Sequence, residues 1–384
     1  MNNRIKPESF AELLLANTPL IDVRAPIEFQ QGSLPGAVNL PILNDQERAL
    51  IGTTYKQQGQ EAAVKLGYEL ISGAVKESRV QLWAESIQAN PQTVIYCFRG
   101  GKRSQITQQW LREIGIERPI IEGGYKAVRG FLISELERYS QTHSFRVLTG
   151  ATGSGKTRFL QELKNEIGLV DLEKLAHHRG SAFGSMGVPQ PSQIDFENQL
   201  SLKLIRLDRD FPKDFKPLIE DESRLIGACH LPGAFFESLR SSSVIWIDEP
   251  LDKRVDNIFK DYIVDSAIGL AVASIPRCAE EVEILKSEAL RLFDRYKNAV
   301  KAITRKLGGL RAQEILVDLL AAETQFLESG ELFANRIWIE KLISWYYDPM
   351  YSGSLEKRQS HVLFKGSYEA CLGFCRDEVT VSRP

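Results

Sequence analysis

The sequence predicts an α/β protein with three parts. An N-terminal α/β domain spans residues 1–139, a second parallel-sheet domain spans 140–254, and a helical region spans 255–384. Three observations support this. Short β-branched runs alternate with helical periodicity twice over, once before Tyr139 and once after Phe145. In each alternation one strand feeds a glycine-rich loop that opens a helix, the arrangement that holds an anion on backbone N–H groups. From about Val255 to Tyr346 the apolar spacing is almost wholly helical, with no further convincing strand.

In chain order, Met1–Arg4 leads into a short polar helix, and Pro19–Arg24 reads as a short buried strand. Gly32–Pro41 is a turn-rich loop around another short strand, and Asp45–Ala89 has helical periodicity interrupted by Gly52, Gly59 and Gly67. Thr93–Tyr96 is β-branched and aromatic, a parallel-type strand. Arg103–Ile114 then places Ile106, Trp110, Leu111 and Ile114 on one helical face. The second alternation begins at Phe145–Leu148, with further strands at Leu169–Val170, Pro217–Glu220 and Ser243–Asp248. His177–Ser192 is rich in Gly, Ser and Pro and long enough to be a functional loop.

Composition excludes several classes. The 384 residues suffice for two or three domains with their own cores. A net charge of −2 means that any nucleic-acid partner must be met by a local basic patch. Neither a signal segment nor a membrane-length apolar run is legible, so no membrane partner is expected. The five cysteines are odd in number and lack paired zinc spacing, which fits a reducing cytoplasm and gives no metal site.

Cys97 follows the buried strand directly, and Gly100-Gly101 lets the backbone curl round its sulfur. Arg99, Lys102 and Arg103 add positive charge, a setting that favours a nucleophilic thiolate. Cys97, Arg99 and Arg103 are therefore the candidate catalytic residues. Gly150-x4-Gly155-Lys156-Thr157 is a full phosphate-loop match in its strand-to-helix context. Gly150, Gly153, Ser154, Gly155, Lys156 and Thr157 would cradle a phosphate chain, and Thr157 could carry Mg2+. Any diphosphate would satisfy the same donors. Asp248, Glu220 and Asp171 each end a strand and compete as the metal-side acid; a helix cap or surface charge is the plainer reading of each. The stretches holding His178, Arg179 and Ser181, and Glu220, Glu222, Ser223 and Arg224, read either as polar surface turns or as a site wall.

Residues 5–138 resemble the rhodanese family through Asp22-x-Arg24, Glu28, Gly32-x-x-Pro35-Gly36-Ala37-x-Asn39-x-Pro41 and Cys97. The spacing Cys97-x5-Arg103 departs from the usual rhodanese loop and resembles rhodanese-fold phosphatases, although Tyr96 stands where those enzymes carry histidine. This suggests an anion larger than a sulfane sulfur. The whole chain resembles the bacterial tRNA 2-selenouridine synthase family, with an N-terminal rhodanese-like domain, a central P-loop parallel-sheet domain and a helical C-terminal region. The resemblance rests on Cys97-x-Arg99-Gly100-Gly101-x-Arg103-Ser104, His178-Arg179-Gly180-Ser181-x-Phe183-Gly184, Glu222-Ser223-Arg224-x-Ile226-Gly227 and Tyr346–Tyr351.

Membership would imply conversion of wobble 2-thiouridine in tRNA to 2-selenouridine with selenophosphate, through an S-geranyl intermediate made from geranyl diphosphate. These would be substrates, with no firmly bound cofactor, and a selenophosphate-supplying enzyme would be a partner. Cys97 would receive or present selenium, or assist loss of the alkylthio group. Arg291–Gln313 carries seven basic residues against one acid, Asp294. Lys297, Lys301 and Arg305 share one helix face, with Lys306 and Arg311 beyond, while Tyr296, Val300, Ile303 and Leu307 form a packing face. This is the expected tRNA contact; a solvated basic helix is its rival. Trp345, Tyr346, Tyr347 and Tyr351 read either as base-stacking aromatics or as a hydrophobic dock. Two other functions compete: a rhodanese-fold phosphatase fused to a P-loop kinase, and a non-enzymatic selenium or sulfur carrier.

Overall fold

The computed structural model describes residues 3–178, 188–273, 279–350, 353 and 361–382. It divides into two units. The first comprises Met1–Thr142, Gln190–Lys213 and Ala228–Phe235; the second comprises His143–Pro189, Asp214–Gly227 and Phe236–Pro384.

The first unit runs β1 (Arg4–Ile5), α1 (Phe10–Leu15), β2 (Leu20–Asp22), α2 (Pro26–Gln30), β3 (Ala37–Asn39), α3 (Asp45–Leu70), α4 (Gly73–Ala89), β4 (Val94–Tyr96), α5 (Lys102–Glu113), β5 (Ile120–Ile121) and α6 (Gly124–Thr142). Its strands form a parallel sheet in the order β1-β5-β4-β2-β3. Alternate residues of one strand feed different cores: Val94 and Tyr96 pack with Phe10 and Leu20, whereas Ile95 packs with Ile21 and Trp83. Both faces of β4 are covered, which is why Val94–Tyr96 is buried and apolar along its length. α3 starts at an Asn44–Glu47 capping box and breaks at Gly59, whose φ of 88° lies in the left-handed region. The opening helix follows Met1–Arg4 as α1, after the two-residue edge strand β1, and it buries Phe10, Leu13 and Leu14. Ile114, expected on the buried face of α5, is 52% exposed because it lies past the last helical turn.

The second unit begins with β6 (Arg146–Gly150), α7 (Lys156–Leu163), β7 (Leu169–Val170) and α8 (Leu172–Ala176). The chain then contributes α9 (Gln193–Asp210) to the first unit, against α6 and α1. Leu202 and Ile205 of α9 join that core, and Ser201 donates to the Leu132 carbonyl at 2.6 Å. The boundaries expected at 139 and 254 therefore miss this crossing, since an amphipathic helix does not announce which sheet it covers. There follow β8 (Leu218–Glu220), β9 (Leu225–Ile226), β10 (Cys229–His230), α10 (Gly233–Ser241), β11 (Ser243–Ile247), α11 (Leu251–Phe259), α12 (Ala267–Ala273), α13 (Ala279–Leu307), α14 (Gly309–Ser329), α15 (Asn335–Leu342), β12 (Val362–Gly366) and α16 (Tyr368–Ser382).

The second sheet is also parallel, in the order β12-β11-β6-β8-β7. β12, beyond the helical stretch that ends near Tyr346, adds a strand that the sequence pattern did not mark. It pairs alongside β11, and the Asp248 N–H donates to the Gly366 carbonyl at 2.8 Å. α16 then packs Cys371, Leu372 and Cys375 against Phe159 and Leu160. Between β11 and β12 the helices bury Tyr296, Val300, Ile303 and Leu307 of α13, the packing face read from the sequence.

Candidate functional site

Cys97 lies at the carboxyl end of β4, in the first loop residue, and is 3% exposed. Its Sγ stands 3.2 Å from Ser104 Oγ, in the first turn of α5, and 4.0 Å from the Gly101 carbonyl. The loop is tight enough to require Gly100: its φ is +63°, and an added Cβ would lie 2.6 Å from the Ile121 carbonyl oxygen. Lys126 N–H donates to Phe98 O at 2.9 Å, and Tyr125 N–H donates to Cys97 O at 2.8 Å. Arg99 and Lys102 are exposed, whereas Arg103 makes a bidentate pair with Glu28 at 2.5 and 3.1 Å. The Asp22-x-Arg24 signature is a scaffold. Arg24 is buried, pairs with Asp22 at 2.6 Å, donates to Gly32 O at 2.8 Å, and lies 3.9 Å above the Tyr125 ring.

The phosphate loop turns at Gly153 (φ +85°) and Gly155 (φ +87°) between β6 and α7. Ser154 is buried, and its N–H donates to Ala151 O at 3.0 Å. Lys156 Nζ donates to Gly150 O at 2.9 Å, so the ammonium folds back over the loop. Thr157 Oγ1 donates to Glu173 Oε2 at 3.0 Å. α11 buttresses the loop from outside: Asn257 donates to Gly153 O at 2.8 Å, and Arg254, clamped by Asp348 through two 2.7 Å bonds, reaches Thr152 O at 3.2 Å.

Above this loop is a cavity of about 120 Å3 with two kinds of wall. Lys156, Thr157, Glu173, Glu222 and Asp261 form the polar end. Ile258, Tyr262, Trp338, Ile339, Leu342, Ile343 and Tyr347 form an apolar and aromatic end. Burial and the neighbouring Glu173 carboxylate push Glu222 up to about 8 against the pull of Lys156, so its carboxyl holds a proton at neutral pH. Sequence reasoning missed the apolar wall, because helical periodicity marks Trp338, Ile339 and Leu342 as core without saying that the core opens onto a phosphate loop.

The other sequence candidates fall out as follows. Glu220 is fully buried, accepts from Glu173 N–H at 3.1 Å, and is pushed well above the carboxylate range by burial and by Glu173 and Asp171. Asp171 caps α8, accepting from Lys174 N–H at 2.7 Å. Asp248 is exposed and pairs with Lys365 at 3.0 Å. None of these three lines the cleft; the acids beside Thr157 and Lys156 are Glu173 and Glu222. Ser223 closes a turn onto Leu225 O at 2.5 Å and Arg224 is exposed, so Glu222 alone of that stretch lines the cleft. Burial pushes the His178 imidazole down toward its neutral form, and among the described residues its Nδ1 has no hydrogen-bond partner. Arg179 and Ser181 lie outside the described residues, as does Tyr351.

On α13, Lys301, Arg305 and Lys306 are exposed, as is Arg311 at the start of α14, 5.7 Å from the Trp345 ring centre. Lys297 differs: it is paired with Asp294 at 2.7 Å and Glu323 at 3.0 Å. Tyr346 and Tyr347 are buried. Among the described residues, no cluster of three or more His, Cys, Asp or Glu side chains could hold a metal, and no helix is long and apolar enough to cross a membrane.

A cysteine at the head of a helix on one parallel sheet, and a loop with the phosphate-loop sequence on a second, make this a two-domain protein with a glycine-turned strand-to-helix loop in each domain. A rhodanese-like domain model matches residues 6–130, and a tRNA 2-selenouridine synthase AAA domain model matches residues 143–381. The chain belongs to the tRNA 2-selenouridine synthase family. It is 57% identical to the tRNA 2-selenouridine synthase of Bdellovibrio bacteriovorus, over 94% of this chain and 96% of the relative. It is 54% identical to that of Nitrosomonas eutropha over 98% of each chain, and 55% identical to that of Nitrosomonas europaea over 97% of this chain and 98% of the relative.

Proposed function

We propose that the chain replaces sulfur by selenium at wobble 2-thiouridine of tRNA in the cytoplasm, with geranyl diphosphate and selenophosphate as co-substrates. The observation that carries the reading is the shared cleft: Lys156 and the phosphate loop at one end, Tyr262, Trp338, Leu342 and Tyr347 at the other. A prenyl diphosphate would use both kinds of lining, its diphosphate on the loop and its chain on the apolar side chains.

In the first step the thiouridine sulfur attacks C1 of the geranyl chain; the S–C bond forms, the C–O bond breaks and pyrophosphate leaves. Lys156 and the loop N–H groups stabilise the charge that develops on the departing oxygen. Protonated Glu222 can donate to a diphosphate oxygen instead of repelling it. Thr157 and Glu173 offer a pair of hard oxygen atoms that would hold a magnesium ion, which supplies charge neutralisation when bound. In the second step the selenium of selenophosphate forms a bond to C2 of the base, the C2–S bond breaks and geranylthiol leaves; water then cleaves the P–Se bond, releasing phosphate and leaving 2-selenouridine. Cys97, Arg99 and Arg103 serve this step, Cys97 by helping to expel the geranylthio leaving group and the two arginines by holding the selenophosphate anion. An enzyme that makes selenophosphate supplies the donor.

The test is to incubate the protein with geranyl diphosphate and a 2-thiouridine anticodon stem-loop. S-geranyl RNA and pyrophosphate should appear, with the rate falling by about 10²–10³ in Lys156→Ala. ATP turnover without geranyl transfer would overturn the reading in favour of a kinase.

A further inference from the structure

The rhodanese-like unit has a cavity of its own, about 190 Å3 in volume, that the two steps above leave unused. Its walls come from α3 and α5, chiefly Ile51, Val64, Ile106 and Trp110, with Lys102 and Arg103 at its edge. The break at Gly59 sets the halves of α3 at an angle, so that Ile51 and Val64 line one hollow. Water needs roughly 15 Å3 per molecule together with several polar partners, so a hollow of this size and lining suits an apolar chain better. Tyr55 at the opening is 57% exposed.

The position of this hollow is specific. Trp110 and Ile106 pack in the same apolar cluster as Cys97, and Ser104, adjacent to Arg103, lies 3.2 Å from Cys97 Sγ. The groove and the cysteine loop thus share α5, with cations where an RNA backbone would cross from one to the other. We propose that this groove is a binding subsite for the geranyl chain of S-geranyl-2-thiouridine, holding the alkylated base beside Cys97 during selenium transfer. The inference rests on the S-geranyl intermediate of the preceding section. It assigns the rhodanese-like unit a prenyl site separate from the one over the phosphate loop.

The test uses the full chain, selenophosphate and chemically prepared RNA stem-loops carrying either S-geranyl- or S-methyl-2-thiouridine. The native protein is expected to show a kcat/KM at least about tenfold higher for S-geranyl RNA, most of it in KM. Val64→Trp, which fills the groove, is expected to bring the two substrates within about twofold through loss on the S-geranyl arm alone, while Val64→Ala keeps the preference. Should Val64→Trp fail to fold by circular dichroism, Tyr55→Ala at the open rim is expected to cut the preference by about threefold. Equal use of both RNAs by the native protein overturns the groove, and so does a folded Val64→Trp that keeps the preference. Geranyl transfer from geranyl diphosphate is measured separately. Its absence would remove the S-geranyl pathway, whereas its presence with equal use of the two RNAs sinks only the groove.

Discussion

Arg103 is gripped by Glu28 through two hydrogen bonds, at 2.5 and 3.1 Å, so one cation of the cysteine loop is fixed by a carboxylate of α2. Burial works against the Glu28 charge, yet the Arg103 guanidinium, with the Ala25 N–H and Arg48, holds its carboxyl below the usual range. A carboxylate depressed in the folded state stabilises the fold above its unfolded value, and that contribution is lost as pH falls. Glu28→Gln is therefore expected to destabilise the rhodanese-like unit by about 1–3 kcal/mol at neutral pH. The deficit should shrink as pH falls through the lowered folded value, below the ordinary carboxylate range, where the native carboxyl also protonates. Thermal melts at neutral pH and below that value check this; an equal deficit at both would mean that charge is not what Glu28 contributes.

Cys97→Ala is expected to abolish selenation while S-geranyl RNA still forms. Ser104→Ala removes the group 3.2 Å from the sulfur and should slow selenation by about tenfold, the loss of one hydrogen bond at the reacting group. Nucleoside analysis by mass spectrometry reads both products. Loss of both activities in a folded Cys97→Ala protein would end the division of labour between the two loops.

The two loops were legible because each must be continuous in sequence: a strand, glycines where the backbone turns, and a helix start. Cys97, Lys156 and Thr157 stand where that logic puts them. What was not legible depends on chain segments far apart. The apolar end of the cleft comes from Tyr262 and from Trp338 to Tyr347, and no local pattern links these to Gly155. β12 was hidden because its five residues, Val362–Gly366, include Lys365 and Gly366 and sit at a sheet edge. Asp248, Glu220 and Asp171 competed as the metal-side acid because each ends a strand, but the acids that line the cleft beside Thr157 and Lys156 are Glu173, in α8, and Glu222, just past β8.

The proton on Glu222 makes diphosphate binding sensitive to pH. Its folded value, pushed up to about 8, lies above the ordinary carboxylate range. The folded protein thus binds a proton that the unfolded chain has already released, and stability falls as pH rises through that window. Above about pH 8 the carboxylate also faces Glu173 and the incoming diphosphate with like charge. Geranyl diphosphate affinity is expected to drop between about pH 7 and 9 in the native protein, and the Glu222→Gln variant to lose that step. Calorimetric titrations across this range decide it; the same drop in both proteins would assign the pH dependence to another group.

The basic face of α13 yields a prediction in which two neighbouring lysines behave differently. Lys301 and Arg305 are exposed, whereas Lys297 is held by Glu323 at 3.0 Å. If this face contacts tRNA, Lys301→Glu and Arg305→Glu should each weaken binding and reduce the slope of log affinity against log salt by about 0.8 per lost phosphate contact. Lys297→Glu should instead place a carboxylate against Glu323, lower the melting temperature and leave the salt slope near its native value. Filter binding of a 2-thiouridylated tRNA at several salt concentrations separates these outcomes. An unchanged slope in the Lys301→Glu, Arg305→Glu double variant would leave α13 as a solvated helix and move the RNA contact elsewhere.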